Sequence, residues 1–243
     1  MSKFTDKIRR LHRSRVRALD EAEKREAEDR VFLAEDAVET DVDPRIKTTK
    51  DIRTSTFDSL DAHREDGVWV LERRYERSDS HGRYRLGEVL GVELPLCVDD
   101  QLHLFSQATQ TRALGFFDIE TTGLSERARA YCIGLGTWRD GSFVVRQYLM
   151  QSEEDEAAVL AKFSRDLDGL GGLVSFNGRT FDVPRIRGRM AHHSIESPLE
   201  SLEHVDLLRV ARRFFPRRND LSLETLERTL LVFHRVDDLP GSE

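Results

Sequence analysis

Two carboxylates at the end of an apolar run are the first place where this sequence could do chemistry: Phe116-Phe117-Asp118-Ile119-Glu120-Thr121-Thr122-Gly123-Leu124. In an extended chain residues i and i+2 point to the same face, so Asp118 and Glu120 would stand side by side. Like charges held together are costly unless a cation neutralises them. Hard oxygen ligands favour Mg2+ or Mn2+ over zinc. The plain alternative is a strand leaving the core with its acids solvated. Gly123 reads as a turn glycine with a positive φ.

A second constellation is Leu173-Val174-Ser175-Phe176-Asn177-Gly178-Arg179-Thr180-Phe181-Asp182-Val183-Pro184. Again a short apolar run ends in a polar loop with one acid. Asp182 precedes Val183-Pro184, which open a helix, so it reads either as a helix N-cap or as a third oxygen ligand. An Asp at a helix start can serve both roles if its free oxygen faces a cleft.

The elements that must hold these residues are legible from about residue 114 onward. Residues 114–119 form a buried-strand run. Residues 131–137 and 143–149 are two further strands, joined through Arg139-Asp140-Gly141, a hairpin signal. Residues 153–167 are acidic at the start and apolar at Ala157, Leu160, Phe163 and Leu167, which predicts a helix. A fourth strand spans 173–176, with helices at 183–191, 206–214 and 222–231. Hairpin-linked strands followed by alternating helices and strands describe an α/β class, a mixed sheet flanked by helices.

Upstream the pattern is weaker. Residues 3–33 are dense in charge with a few apolar positions at helical spacing, and residues 34–66 read as a linker. The expected organisation is therefore a charged helix and linker over 1–66, a small β-containing segment over 67–113 and the main domain over 114–243. Within the middle segment, residues 68–71 read as a short strand and the charged stretch 73–77 as a turn.

DIETTGL and FNGRTFD, in this order and at this distance, resemble the first two motifs of DEDD-type 3′–5′ exonucleases, which have a ribonuclease H-like fold. The flanks His204-Val205-Asp206-Leu207-Leu208, Leu221-Ser222-Leu223 and Val236-Asp237-Asp238-Leu239-Pro240-Gly241-Ser242 resemble a YprB-like branch of predicted exonucleases. The short Ser80-His81-Gly82 does so weakly. The resemblance implies catalytic and metal-binding roles for Asp118, Glu120 and Asp182, which would hold two Mg2+ or Mn2+ ions. It also implies substrate contacts from Thr121, Thr122, Asn177 and Arg185. The implied substrate is the single-stranded 3′ end of DNA or RNA.

One part of the family pattern is missing. The fourth acid belongs to a carboxyl-terminal third motif; no tyrosine follows Tyr148, and His234 with Asp237 and Asp238 suits it in neither spacing nor position. Either the chain stops short of that motif or the site has lost it, and Asp206 is a conceivable substitute. A rival expectation follows: a ribonuclease H-like nucleic-acid-binding or scaffolding protein with an impaired site. A phosphatase of the haloacid-dehalogenase type is disfavoured, because the only lysine after Glu120 is Lys162, inside the acidic helix.

Charge is consistent with local rather than general binding. Net charge is −7, so any phosphate contact must come from a patch. Arg185, Arg187 and Arg189 form one candidate rim, and Arg209, Arg212, Arg213, Arg217 and Arg218 another, with Phe214 and Phe215 beside the second. Cys97 and Cys132 are too few for a disulfide framework. With no apolar run long enough to span a bilayer, the expectation is a cytoplasmic protein with no membrane contact.

Overall fold

The computed structural model describes residues 61–90, 97–99, 102–106, 113–123 and 128–235. The chain divides into two units, 1–61 with 235–243 and 62–234, and the second is described below. The helix expected over 3–33 and most of the expected linker lie outside the described residues.

A seven-stranded mixed sheet forms the centre. Its strands are β1 (His63–Glu65), β2 (Val68–Tyr75), β7 (Leu114–Thr121), β8 (Ala130–Arg139), β9 (Ser142–Leu149), β10 (Gly172–Ser175) and β11 (Glu203–Asp206), in the order β1-β2-β9-β8-β7-β10-β11. From β1 to β7 neighbours run antiparallel, while β10 is parallel to β7 and β11 to β10. Two short ribbons stand apart: β3 (Ser80–His81) with β4 (Tyr84–Arg85), and β5 (Cys97–Asp99) with β6 (Leu102–His103). The helices are α1 (Glu156–Asp166), α2 (Asp182–His192), α3 (Leu207–Phe214) and the short α4 (Leu223–Leu226), which continues as a π turn over Glu227–Leu231. The α/β class expected from the sequence is the one found.

Alternation sets which face holds the core. Ile119, Ile133, Tyr148 and Val70 lie across one row of β7, β8, β9 and β2, and all four are buried. Helix α1 covers this face. Its Phe163 ring stacks on Phe117 at 5.4 Å and meets Tyr148 edge-on at 5.9 Å. Phe116, Asp118 and Glu120 therefore point to the opposite face, where burial along β7 falls away at every second residue.

Polar groups also lie under α1. Lys162 and Arg146 are buried and share Asp166 and Glu65, while the Tyr148 hydroxyl donates to Asp166 at 2.6 Å. Burial alone would raise the Asp166 carboxyl. The Lys162 and Tyr148 hydrogen bonds and the Arg146 charge outweigh it and hold the group below its ordinary value.

Several elements differ from their sequence expectation. The charged stretch after Leu71 is strand rather than turn, since β2 runs to Tyr75 paired with β9. Its outer half, beyond the three residues that pair with β1, is a sheet edge, and charge is at home there. Strand β1 falls where a linker was expected. Its turn into β2 is Asp66-Gly67, both at positive φ, an Asp-Gly hairpin signal that the polar surroundings hid. The same chemistry at Asp140-Gly141 closes the expected β8–β9 hairpin.

Ser80-His81-Gly82 also gains a reason. Gly82 sits at φ +61 against the Leu231 carbonyl with no room for a Cβ. Arg83 N–H donates to that carbonyl at 2.8 Å, and the His81 ring stacks on Phe233 at 4.0 Å. No helix among the described residues is long and apolar enough to cross a membrane.

Candidate metal and nucleic-acid site

Three parallel strands, β7, β10 and β11, end on the same side of the sheet, and each delivers acid there. Strand β7 supplies Asp118 and Glu120 from its final residues, the first exposed and the second half-buried. Gly134 stands opposite Asp118 on β8 and leaves space beside it. Opposite Glu120 the ladder slips: Cys132 pairs with Glu120 and Ala130 with Thr121, so Tyr131 is an extra bulged residue. Tyr131 is buried and its hydroxyl donates to the Glu120 carboxylate; burial first and Glu120 second push the phenol above its ordinary value. Nothing in the order of residues pointed to this partner, because a bulge is a property of strand pairing.

The loop after β10 places Asp182. Asn177 adopts a left-handed conformation at φ +64, which Asn tolerates better than most residues. Its carboxamide oxygen accepts from the Thr180 hydroxyl at 3.0 Å. A Cβ on Gly178 would lie 2.5 Å from Ser175 Oγ and 2.9 Å from Asp182 Oδ2, so only glycine lets this loop pass the carboxylate. Asp182 is the first residue of α2, and no side chain caps that helix. The N-cap alternative for Asp182 is thus not realised, and its carboxylate faces the other acids instead.

Asp206 is a capping aspartate, but of α3 and not of α2. It accepts from Leu208 N–H at 3.0 Å to start α3, and from Asn177 N–H at 2.8 Å and Arg179 N–H at 3.2 Å. One buried carboxylate thus ties the FNG loop to β11, which makes Asp206 a positioning residue rather than an obvious substitute ligand.

The electrostatics gather these acids into one group. Burial, then the charge of Asp118, push the Asp182 carboxyl from 3.8 up to about 7; Asp206 and Glu120 add to the rise and Arg185 opposes it. A proton held on Asp182 near neutrality stands where a cation would relieve the same repulsion. Among the described residues, no three Asp, Glu, His or Cys side chains converge closely enough to hold a metal ion as they stand. Donor type and charge suit a hard divalent cation, and the carboxylates would have to close around it.

The expected substrate contacts are placed unevenly. The Thr121 hydroxyl donates to the Gly123 carbonyl at 2.9 Å, and Thr122 Oγ1 accepts from Arg129 N–H at 3.2 Å. Those two bonds hold the turn, and Gly123 needs no positive φ, contrary to the sequence expectation. Arg185 lies beside Asp182 and over the exposed Phe181 ring, 5.4 Å from its centroid. Arg187 pairs with Glu200, and Arg189 with the buried Glu156, which Arg129 and His193 also contact. Of the first arginine rim, Arg187 and Arg189 are thus engaged by glutamates, and Arg185 stands beside Asp182.

Comparison with known proteins assigns the family. Residues 115–243 match the family model described as RNase_H superfamily, and they hold the β7-to-α4 portion of the sheet and helices. The chain belongs to the RNase H superfamily. The ribonuclease H-like mixed sheet expected from the sequence is therefore the fold found. A relative in Bacillus subtilis (strain 168), "Uncharacterized protein YprB", is 33% identical over 179 residues. That similarity takes in 71% of this chain and 43% of the relative, so the chain spans less than half of that protein's length. Nucleases of this superfamily generally use divalent metals such as Mg2+.

Proposed function

We propose that the chain is a divalent-metal-dependent nuclease that hydrolyses phosphodiester bonds from the 3′ end of single-stranded DNA or RNA. The observation that carries this reading is the placement of Asp118 and Glu120 on one face of β7 with Asp182 brought against them by α2. Asp118, Glu120 and Asp182 would hold Mg2+ or Mn2+, two ions in the two-metal scheme. When bound, the cations supply positive charge at the attacking and leaving oxygens of the phosphodiester.

The chain's own residues prepare the site. Tyr131 fixes Glu120 by its hydroxyl, and the Asp206-anchored loop fixes Asp182. To serve as a ligand, Asp182 would have to release its proton to solvent, which its raised value of about 7 allows near neutrality. Arg185, stacked on Phe181, would take a phosphate or base at the mouth. Asn177, Thr121 and Thr122 act through loop shape, leaving limited capacity for direct substrate contact.

A second reading, a nucleic-acid-binding protein with an impaired site, is favoured by one observation: no three of the described acids yet converge on a point. Degradation of 5′-labelled single-stranded DNA and RNA, with Mn2+, Mg2+ or EDTA and beside Asp118→Ala, separates the two. A metal-dependent ladder shortening from the 3′ end and absent in the variant supports the exonuclease. Binding of Mn2+ without any cleavage supports the impaired site.

A further inference from the structure

Beyond the acidic cluster, the FNG loop also borders a groove that the nuclease reading does not use. Phe176 and Asn177 form one wall; Leu208, Arg212, Phe215, Arg218 and parts of the segment 216–223 line the rest, with a volume of about 790 Å3. Residues 207–219 contain five arginines and no acidic residue, in a chain of net charge −7. Among the described residues, Arg209, Arg212 and Arg217 make no ion pair. Arg218 lies over the Phe215 ring at 5.3 Å and donates to Thr229 at 2.8 Å, so its guanidinium is held at the groove rather than free to wander. The neighbouring Phe214 is 60% exposed, and α3 buries only Ala211. This part of the fold is thus cationic and aromatic on its outer side, with little core to explain either property.

We propose that this groove between α3 and residues 215–223 binds a single-stranded nucleic-acid segment, with Arg212 and Arg218 on phosphates and Phe215 stacking a base. It rests on the nuclease reading only in that the strand would continue toward Asp182 along the shared FNG loop; binding itself needs no metal. Clustered guanidinium groups and an interleaved aromatic suit a phosphate backbone carrying bases. An acidic protein segment would use the charges but has no equal need of the ring.

The test measures binding of a labelled oligothymidylate to the full chain in EDTA over a range of salt, with polyglutamate as competitor. Each phosphate that is no longer neutralised lowers the slope of log affinity against log salt by about 0.7. Arg212→Ala with Arg218→Ala should therefore weaken binding and flatten the slope by about 1.4. Phe215→Ala should weaken binding roughly tenfold at every salt concentration with the slope unchanged. Because Phe215 is half-buried, a circular-dichroism melt accompanies it, and the exposed Arg212→Ala alone serves if that variant unfolds.

Unchanged affinity and slope in the arginine variants overturn the proposal. So does competition by polyglutamate that matches the oligonucleotide while Phe215→Ala has no effect, which points to an acidic protein partner instead. Failure of the nuclease reading looks different: binding with the expected slope changes, but no metal-dependent cleavage. Cleavage that needs Asp118 and ignores both the arginines and Phe215 leaves the nuclease standing and removes the groove.

Discussion

Asp182 carries opposite demands in the metal-free and metal-bound protein. Its folded value of about 7 lies above the ordinary 3.8, so the folded chain holds this proton more tightly than the unfolded chain does. Stability from this group is complete below about pH 4 and is lost as pH rises through about 7. Asp182→Asn keeps the neutral form at all pH. In EDTA it should exceed the parent in stability at pH 8, by a few kcal/mol at most, and match it near pH 4. Urea unfolding at the two pH values checks this, and a parent indifferent to pH would contradict it. Asp118→Ala should also raise metal-free stability, since it removes the strongest charge acting on Asp182. Mn2+ affinity should climb about tenfold per pH unit up to neutrality, as each binding event displaces one proton.

At the level of elements, the site depends on how closely the β10–α2 loop approaches its own helix. Gly178→Ala would press a methyl group within 2.7 Å of Ser175 Cβ and 2.9 Å of the Asp182 carboxylate. Ser175 is buried and bonded to His204, so it cannot swing aside. The expected outcome is a loss of about 1–3 kcal/mol together with weaker Mn2+ binding, because the carboxylate is displaced. A melt paired with a Mn2+ titration measures both; normal metal affinity in a destabilised variant would show that the loop does not position Asp182. The strands around this loop were readable because their apolar runs and the Asp140-Gly141 turn are local signals. Strand β11 was not: Glu203-His204-Val205-Asp206 has one large apolar residue, and it is a strand because β10 offers it an open parallel edge. The helix expected from 206 starts one residue later, with Asp206 as its cap.

Within the unit 62–234, ion pairs under α1 link β1, β2, β9 and the helix. Arg146 reaches Glu65, Glu72 and Asp166. Arg146→Met fills similar space but leaves the half-buried Asp166 with less neutralising charge, and it should cost about 3 kcal/mol in urea unfolding. A variant as stable as the parent would mean that the network compensates through Lys162. Acid acts on this network with the opposite sign to Asp182. Asp166 and Glu156 are both held below their ordinary values of 3.8 and 4.5. Their stabilisation is present above those values and lost as pH falls through the depressed ones. The combined contribution of Asp182, Asp166 and Glu156 to metal-free stability is therefore greatest at about pH 4–5.

The sequence by itself determined the family pattern, the class of fold and the acid pair on β7, because a period of two and a strand-ending Thr-Thr-Gly are written in consecutive residues. It also placed Asp182 at a helix start. What it left open, whether that carboxylate caps its helix or faces the cluster, the tertiary structure decided by leaving α2 uncapped and burying Asp182 beside the other acids. The same holds for Tyr131 against Glu120, for Arg187 and Arg189 against their glutamates, and for the pairing of β2 with β9 in the central sheet. Each of these rests on residues many positions apart meeting across strands and helices, and no local pattern encodes such a meeting.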